Sequence, residues 1–205
     1  MAQNSATEST ISKFKSTLSG GGARPNLFEV ILTPPTALQL TSLTADSFSI
    51  LCKAAALPAS NIGSIDVPFR GRIFKVAGDR TYDTWTVTVI NDENFAIRTA
   101  MESWMQTIGQ YGDSAGVTNP NSYMATAKVN QLIRSATNKA TTTGAQHTIG
   151  KSYIFYDIFP TNISAIDLSY ESTDQIEEFT VEFQVQYWAP SELTNTGTAA
   201  ASATA

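Results

Sequence analysis

The stretch GDRTYDTWTVTVINDENF, residues 78–95, gathers the side chains best suited to chemistry: Asp79, Arg80, Tyr82 and Asp83 precede a strictly alternating run, and Asp92 and Glu93 follow it. Two carboxylates can serve as an acid and base pair when they stand about 5–9.5 Å apart. Asp79 and Asp83, four residues apart, would share one face of a strand at a separation of about 13 Å, and part of the segment reads as a turn. Paired-carboxylate catalysis is therefore disfavoured. Asp92 and Glu93 stand where a helix begins, and satisfying its free amides and dipole is favoured for them over holding a metal.

Other candidates lack a necessary part. GAQHTIGKS, residues 144–152, imitates the phosphate loop G-x-x-x-x-G-K-[ST], but five residues instead of four separate Gly144 from Gly150. A phosphate loop also needs a helix N-terminus aimed at the anion, whereas the following SYIFYDIF is aromatic and β-branched, as in a strand. His147 is the only histidine and has no cysteine or histidine partner for zinc. Ser114 lies in a G-x-S-x-G match, GDSAG at residues 112–116, but the single histidine stands far from any plausible acid, so a nucleophilic triad is disfavoured. Cys52, the single cysteine, cannot form an internal disulfide and reads as a small buried hydrophobe. Asn162 opens the sequon NIS, which has no consequence without a secretory signal. The residues imply no catalytic site, metal or cofactor.

The elements that would position these side chains are mostly strands. Phe28, Val30 and Leu32 alternate before Pro34 and Pro35 stop the run, and Phe48, Ile50 and Cys52 repeat the pattern before ALPAS. Ile65, Val67 and Phe69 share a face up to FRGR, where a hairpin or bulge is expected, and RIFKVAG resumes the strand. Trp85, Val87 and Val89 oppose Thr84, Thr86 and Thr88; Phe179, Val181, Phe183, Val185 and Tyr187 oppose Thr180, Glu182, Gln184 and Gln186. Both runs pair an apolar face with a wet one. One helix is clear: Ile97, Met101, Trp104, Met105 and Ile108 form a stripe, with Asn91 or Asp92 as cap, Glu93 in the first turn, and Gly109 and Gly112 at the end. Residues 124–137 fit a helix through Val129, Leu132 and Ile133 and a strand through Val129, Gln131 and Ile133.

The chain has 205 residues, with 42% hydrophobic and 15% charged side chains. That length suits one domain with arms, able to bury a core without staples. Residues 1–22 read as an N-terminal arm ending in a glycine hinge, on which Ile11, Phe14 and Leu18 fall at helical spacing and suit docking on a neighbour; 23–189 read as the domain and 190–205 as a small, polar, flexible tail. A net charge of −5 argues against a nucleic-acid grip. The start has no apolar targeting core, and no window reaches the roughly 18 apolar residues of a membrane span, so no membrane anchor is expected.

ARPNLFEV, CKAAALP, KVAGDRTYDTWTVTVINDE, FPTNIS and FTVEFQVQYW, in that order between Ala23 and Trp188, resemble the tail tube proteins of contractile-tailed bacteriophages, a family related to type VI secretion and pyocin tubes. The resemblance implies a mainly β fold with one helix, two packed antiparallel sheets whose strands join between subunits into a large β-barrel in a hexameric ring. It favours the strand for KVNQLIRSATN. The chain departs from the family at TPPTALQLTSLTADS and at its C-terminal tail, where its connections are longer.

The implied function is structural: hexameric rings stack into a hollow tube that conducts the genome during tail contraction. Implied partners are further copies, a sheath outside, baseplate and terminator proteins at the ends and a length ruler, in a virion assembled in the bacterial cytoplasm. Phe69, Arg70 and Arg72 would meet the next ring, with the N-terminal arm as a second contact; a self-contained turn with solvated arginines is the alternative. Thr84, Thr86, Thr88, Glu182, Gln184 and Gln186 would line the lumen, where a neutral or acidic wall lets DNA slide. Asp79, Arg80 and Asp83 would form ion pairs that fix this corner or join subunits. Two other classes stay open, a tube of a contractile injection or type VI-like secretion system and a monomeric β-rich enzyme or binding domain.

Overall fold

The computed structural model describes residues 11–18, 22–38, 40, 43, 45–113, 115–133 and 148–191. His147, much of the arm and the tail beyond residue 191 lie outside the described residues.

Two antiparallel layers share one long strand. β1 (Phe28–Thr33) pairs with β6 (Ala125–Ile133), which pairs with β7 (Thr148–Ile163); β9 (Tyr187–Ser191) joins the other side of β7. The second layer runs from the end of β7 through β8 (Glu178–Gln184) and β5 (Trp85–Ile90) to β2 (Cys52–Ala55). β7 changes layer near Asp157, whose φ of 53° coincides with a register break opposite Ala125 and Ala127. A bulge at such a place bends a strand so that it can serve two sheets.

The core lies between the layers. Trp85, Val87 and Val89 of β5 and Phe179, Val181 and Phe183 of β8 are buried, as their alternation requires. Trp85 stacks on Phe155 of β7, with ring centres 4.9 Å apart and planes within 9°. The alternation of β8 ends early: Val185 is buried beyond the strand, Gln186 lies in a bend, and Tyr187 opens β9 half exposed. Residues 125–133 form a strand, with Ala125, Ala127 and Val129 facing the core.

The helix α3 (Ala96–Ile108) buries Ile97, Ala100, Met101 and Trp104, and the Trp104 indole donates to the Tyr123 carbonyl at 2.8 Å. It starts later than its sequence suggests. Asp92 caps it from upstream, its Oδ1 accepting the Ala96 amide at 2.9 Å, but Phe95 holds the N-cap position at φ 53° and the first turn contains no acidic residue. Glu93 falls in the Asp92–Phe95 turn, closed by the Phe95 amide on the Asp92 carbonyl, and so plays no first-turn role. Gly109 ends the helix.

Two further short helices correct the one-helix expectation: α1 (Ile11–Thr17) and α2 (Ala45–Leu51). The spacing of Phe48, Ile50 and Cys52 predicts a strand, yet Phe48 is buried and Ile50 is 80% exposed, opposite to a shared strand face. A window of three apolar residues fits both periods, and Asp46 in the first turn favours the helix through its dipole. The chain becomes extended only at Cys52.

Candidate functional site

β3 (Ser60–Phe69) and β4 (Arg72–Tyr82) form a two-stranded ribbon that pairs with no other strand among the described residues. Arg70 and Gly71 make the turn, both with positive φ, 47° and 79°, the mirror-image geometry that suits the twist of a hairpin. Glycine adopts it freely, whereas Arg70 stores about 1–3 kcal/mol there, a strain that collects at functional positions. The register opposes Ile65 to Val76, Val67 to Phe74 and Phe69 to Arg72, so five large apolar side chains share one face. All five are exposed, Phe69 and Phe74 by nearly two thirds. The other face carries the Lys75–Asp66 ion pair at 2.9 Å. An isolated hairpin with a bare apolar face is marginal in water and marks an interaction element.

Phe69, Arg70 and Arg72, the expected stacking residues, come together at the tip, with the Arg70 guanidinium 5.3 Å above the Phe69 ring. Asp83 accepts a hydrogen bond from Asn61 Nδ2 at 3.1 Å, while among the described residues no ion pair engages Asp79, Arg80 or Asp83. They lie exposed at the foot of the ribbon, where β4 leads towards β5.

On β5 and β8 the register sets Thr86 beside Glu182 and Thr88 beside Thr180, and Asn162 of β7 beside Glu182. Thr86, Thr88, Glu182 and Gln184 thus share the outer face of this layer. Thr84 precedes β5 and Gln186 lies in the bend after β8, both exposed just past the strand ends. Asn162 and Thr180 belong to the same wet face; Thr180 was legible from its alternation, whereas Asn162 becomes its neighbour only through the bend in β7. Lys53 neutralises Glu178 at 2.6 Å, and no ion pair engages Glu182 among the described residues. The face is neutral to acidic.

Little here resembles a reaction centre. Gly150, Lys151 and Ser152 lie within β7, so no helix N-terminus follows the would-be phosphate loop. Among the described residues no three histidine, cysteine, aspartate or glutamate side chains gather to hold a metal. Burial pushes the Cys52 thiol up to about 12, outweighing the lowering effect of a backbone hydrogen bond at Ala54, which keeps it protonated and unreactive.

A polar sheet face and an exposed apolar ribbon describe a part for assembly, and a profile of the phage tail tube proteins matches residues 23–191. The chain belongs to the phage tail tube protein family. It is 35% identical over 170 residues to the tail tube protein gp19 of Enterobacteria phage T4, covering 83% of this chain and 93% of that one. It is 24% identical over 177 residues to the tail tube protein of Serratia phage KSP90, covering 85% and 93%. Its fold is similar to a chain in the sheath–tube complex of an extracellular contractile injection system, with a TM-score of 0.54, 13% identity and coverage of 86% and 97%. A chain of the tube-terminating cap of the anti-feeding prophage gives 0.56 at 13% identity, covering 83% and 91%. As a tail tube protein of a contractile phage, it is a structural component of the virion.

Proposed function

We propose that six copies of this chain close into a ring and that the rings stack, through the β3–β4 ribbon, into the hollow tube that conducts the genome during tail contraction. The exposed apolar ribbon carries the reading: an apolar face left exposed by its own chain needs a neighbour to cover it. The free edges of β1 and β2, at the two ends of the strand order β1-β6-β7-β8-β5-β2, support ring closure, because pairing between subunits removes exposed edges. Thr84, Thr86, Thr88, Glu182, Gln184 and Gln186 then line the channel. A wall whose Lys53 is paired with Glu178 offers phosphate no free cation from that pair, so DNA passes without specific binding.

In this assembly the domain 23–189 builds the tube, the arm 1–22 adds a second contact between rings, and the tail 190–205 extends from it. Asp79, Arg80 and Asp83 pair across subunits. A sheath surrounds the tube, baseplate and terminator proteins bound it, and a ruler sets its length, all assembled in the bacterial cytoplasm. The role is structural, with no enzymatic step and no cofactor.

Sedimentation of the purified chain at rising concentration, with and without phage baseplates as seeds, tests the proposal. Growth into rods is the expected result. A strictly monomeric species, inert towards baseplates at high concentration, would overturn it.

A further inference from the structure

The ribbon leaves its layer where β5 begins, at Trp85, and the β7–β8 loop, residues 164–177, lies where β5 ends, its Glu177 carbonyl accepting the Asn91 amide at 2.9 Å. The two features occupy opposite ends of a strand about 20 Å long. A contact between such unlike ends is head-to-tail and propagates along an axis.

The two surfaces match in charge and in apolar character. Residues 60–82 carry four basic side chains, Arg70, Arg72, Lys75 and Arg80, against two acidic ones, Asp66 and Asp79. Lys75 is spent on Asp66, and among the described residues no ion pair engages the two tip arginines. Residues 164–177 carry Asp167, Glu171, Asp174 and Glu177 and no basic residue. The same loop exposes Leu168, Tyr170 and Ile176, and it walls two adjoining hollows of about 400 and 380 Å³ that share Ile166, Leu168 and Glu177, Phe95 lining the first. The base lining the first hollow, Arg98, is already held by Glu102 at 2.9 Å, so it does not oppose an incoming cation at full strength.

We infer that the 164–177 loop is the receptor for the ribbon tip of a second copy of this chain: Phe69 seats against Leu168 and Ile176, and Arg70 and Arg72 meet the loop's carboxylates. The inference rests on the stacking reading above and names the surface that reading leaves open. Arginine suits the role because its planar fork pairs with carboxylates while its face lies on apolar or aromatic groups. Each copy carries one tip and one receptor, so every ring presents the same acceptor to the ring that follows.

A charge swap in the full-length chain tests it, scored by pelleted tubes and negative-stain images, with circular dichroism to verify folding. Reversing the tip (Arg70→Glu with Arg72→Glu) or the loop (Asp167→Lys with Glu171→Lys) should each deplete tubes, and the four changes together should restore them. The neutral pair Asp167→Asn with Glu171→Gln should weaken assembly in the same direction by less. If the tip reversal depletes tubes while both loop variants assemble normally, the receptor assignment is wrong and the stacking reading stands. If neither reversal affects assembly, the stacking reading fails as well. A folded four-fold variant as defective as the tip reversal alone would also overturn the assignment.

Discussion

Trp85 joins the two layers. Its indole stacks on Phe155 and lies 5.3 Å from the Phe183 ring, so Trp85→Ala removes the contact between them and should cost about 3–5 kcal/mol of stability, read by denaturant unfolding. A second row is polar. Ser152 Oγ donates to Asn130 Oδ1 at 2.6 Å and Asn130 Nδ2 donates to Glu29 Oε2 at 2.9 Å, from neighbouring positions on β7, β6 and β1. Asn130→Ala leaves the buried Ser152 hydroxyl without its acceptor and should cost about 1–3 kcal/mol in the same measurement. Such a row is invisible in the sequence, where Asn130 and Ser152 stand on either side of a long connection and only register unites them. Asp79, Arg80 and Asp83 show the reverse. Their charges stand out in the sequence, but among the described residues they engage no ion pair.

At the scale of elements, the loop after α3 folds back on the helix end. The Val117 amide donates to the Thr107 carbonyl at 3.1 Å, and a Cβ on Gly116 would collide with the Ile108 carbonyl oxygen. Gly116→Ala should therefore destabilise the protein by about 1–3 kcal/mol, with the melting temperature as readout. The ribbon makes a contrasting prediction: Arg70→Glu at its exposed tip should leave the monomer's unfolding free energy within about 0.5 kcal/mol of the parent while reducing sedimentable tubes. Tubes of unchanged length and yield would count against the tip as a contact. Legibility followed the length of the pattern. β5 and β8 were plain because each repeats its alternation three times over buried residues, and α3 because its stripe covers three turns. Residues 48–52 were misread because three apolar side chains cannot separate a helix from a strand. The 164–177 loop has no period at all, so its exposed Leu168, Tyr170 and Ile176 acquire meaning only once the fold places them opposite the ribbon.

For the whole molecule, the proposed tube requires a channel wall without grip and strong contact between copies. Glu182→Lys would put a cation on the wet face of every subunit, and phosphate neutralisation by several lysines gives steeply salt-dependent binding. Tubes of that variant should retain DNA at low salt and release it at high salt, whereas parent tubes should retain none, as read by a filter-binding titration. Retention that is the same in both would remove the channel assignment for this face. The central claim is tested most directly by electron cryo-microscopy of the assembled protein. The account predicts a hollow rod of six-fold rings, with Thr86, Thr88, Glu182 and Gln184 on the channel wall and the β3–β4 ribbon inserted into the adjacent ring. A rod whose channel is lined by another face, or rings that meet without the ribbon, would contradict it.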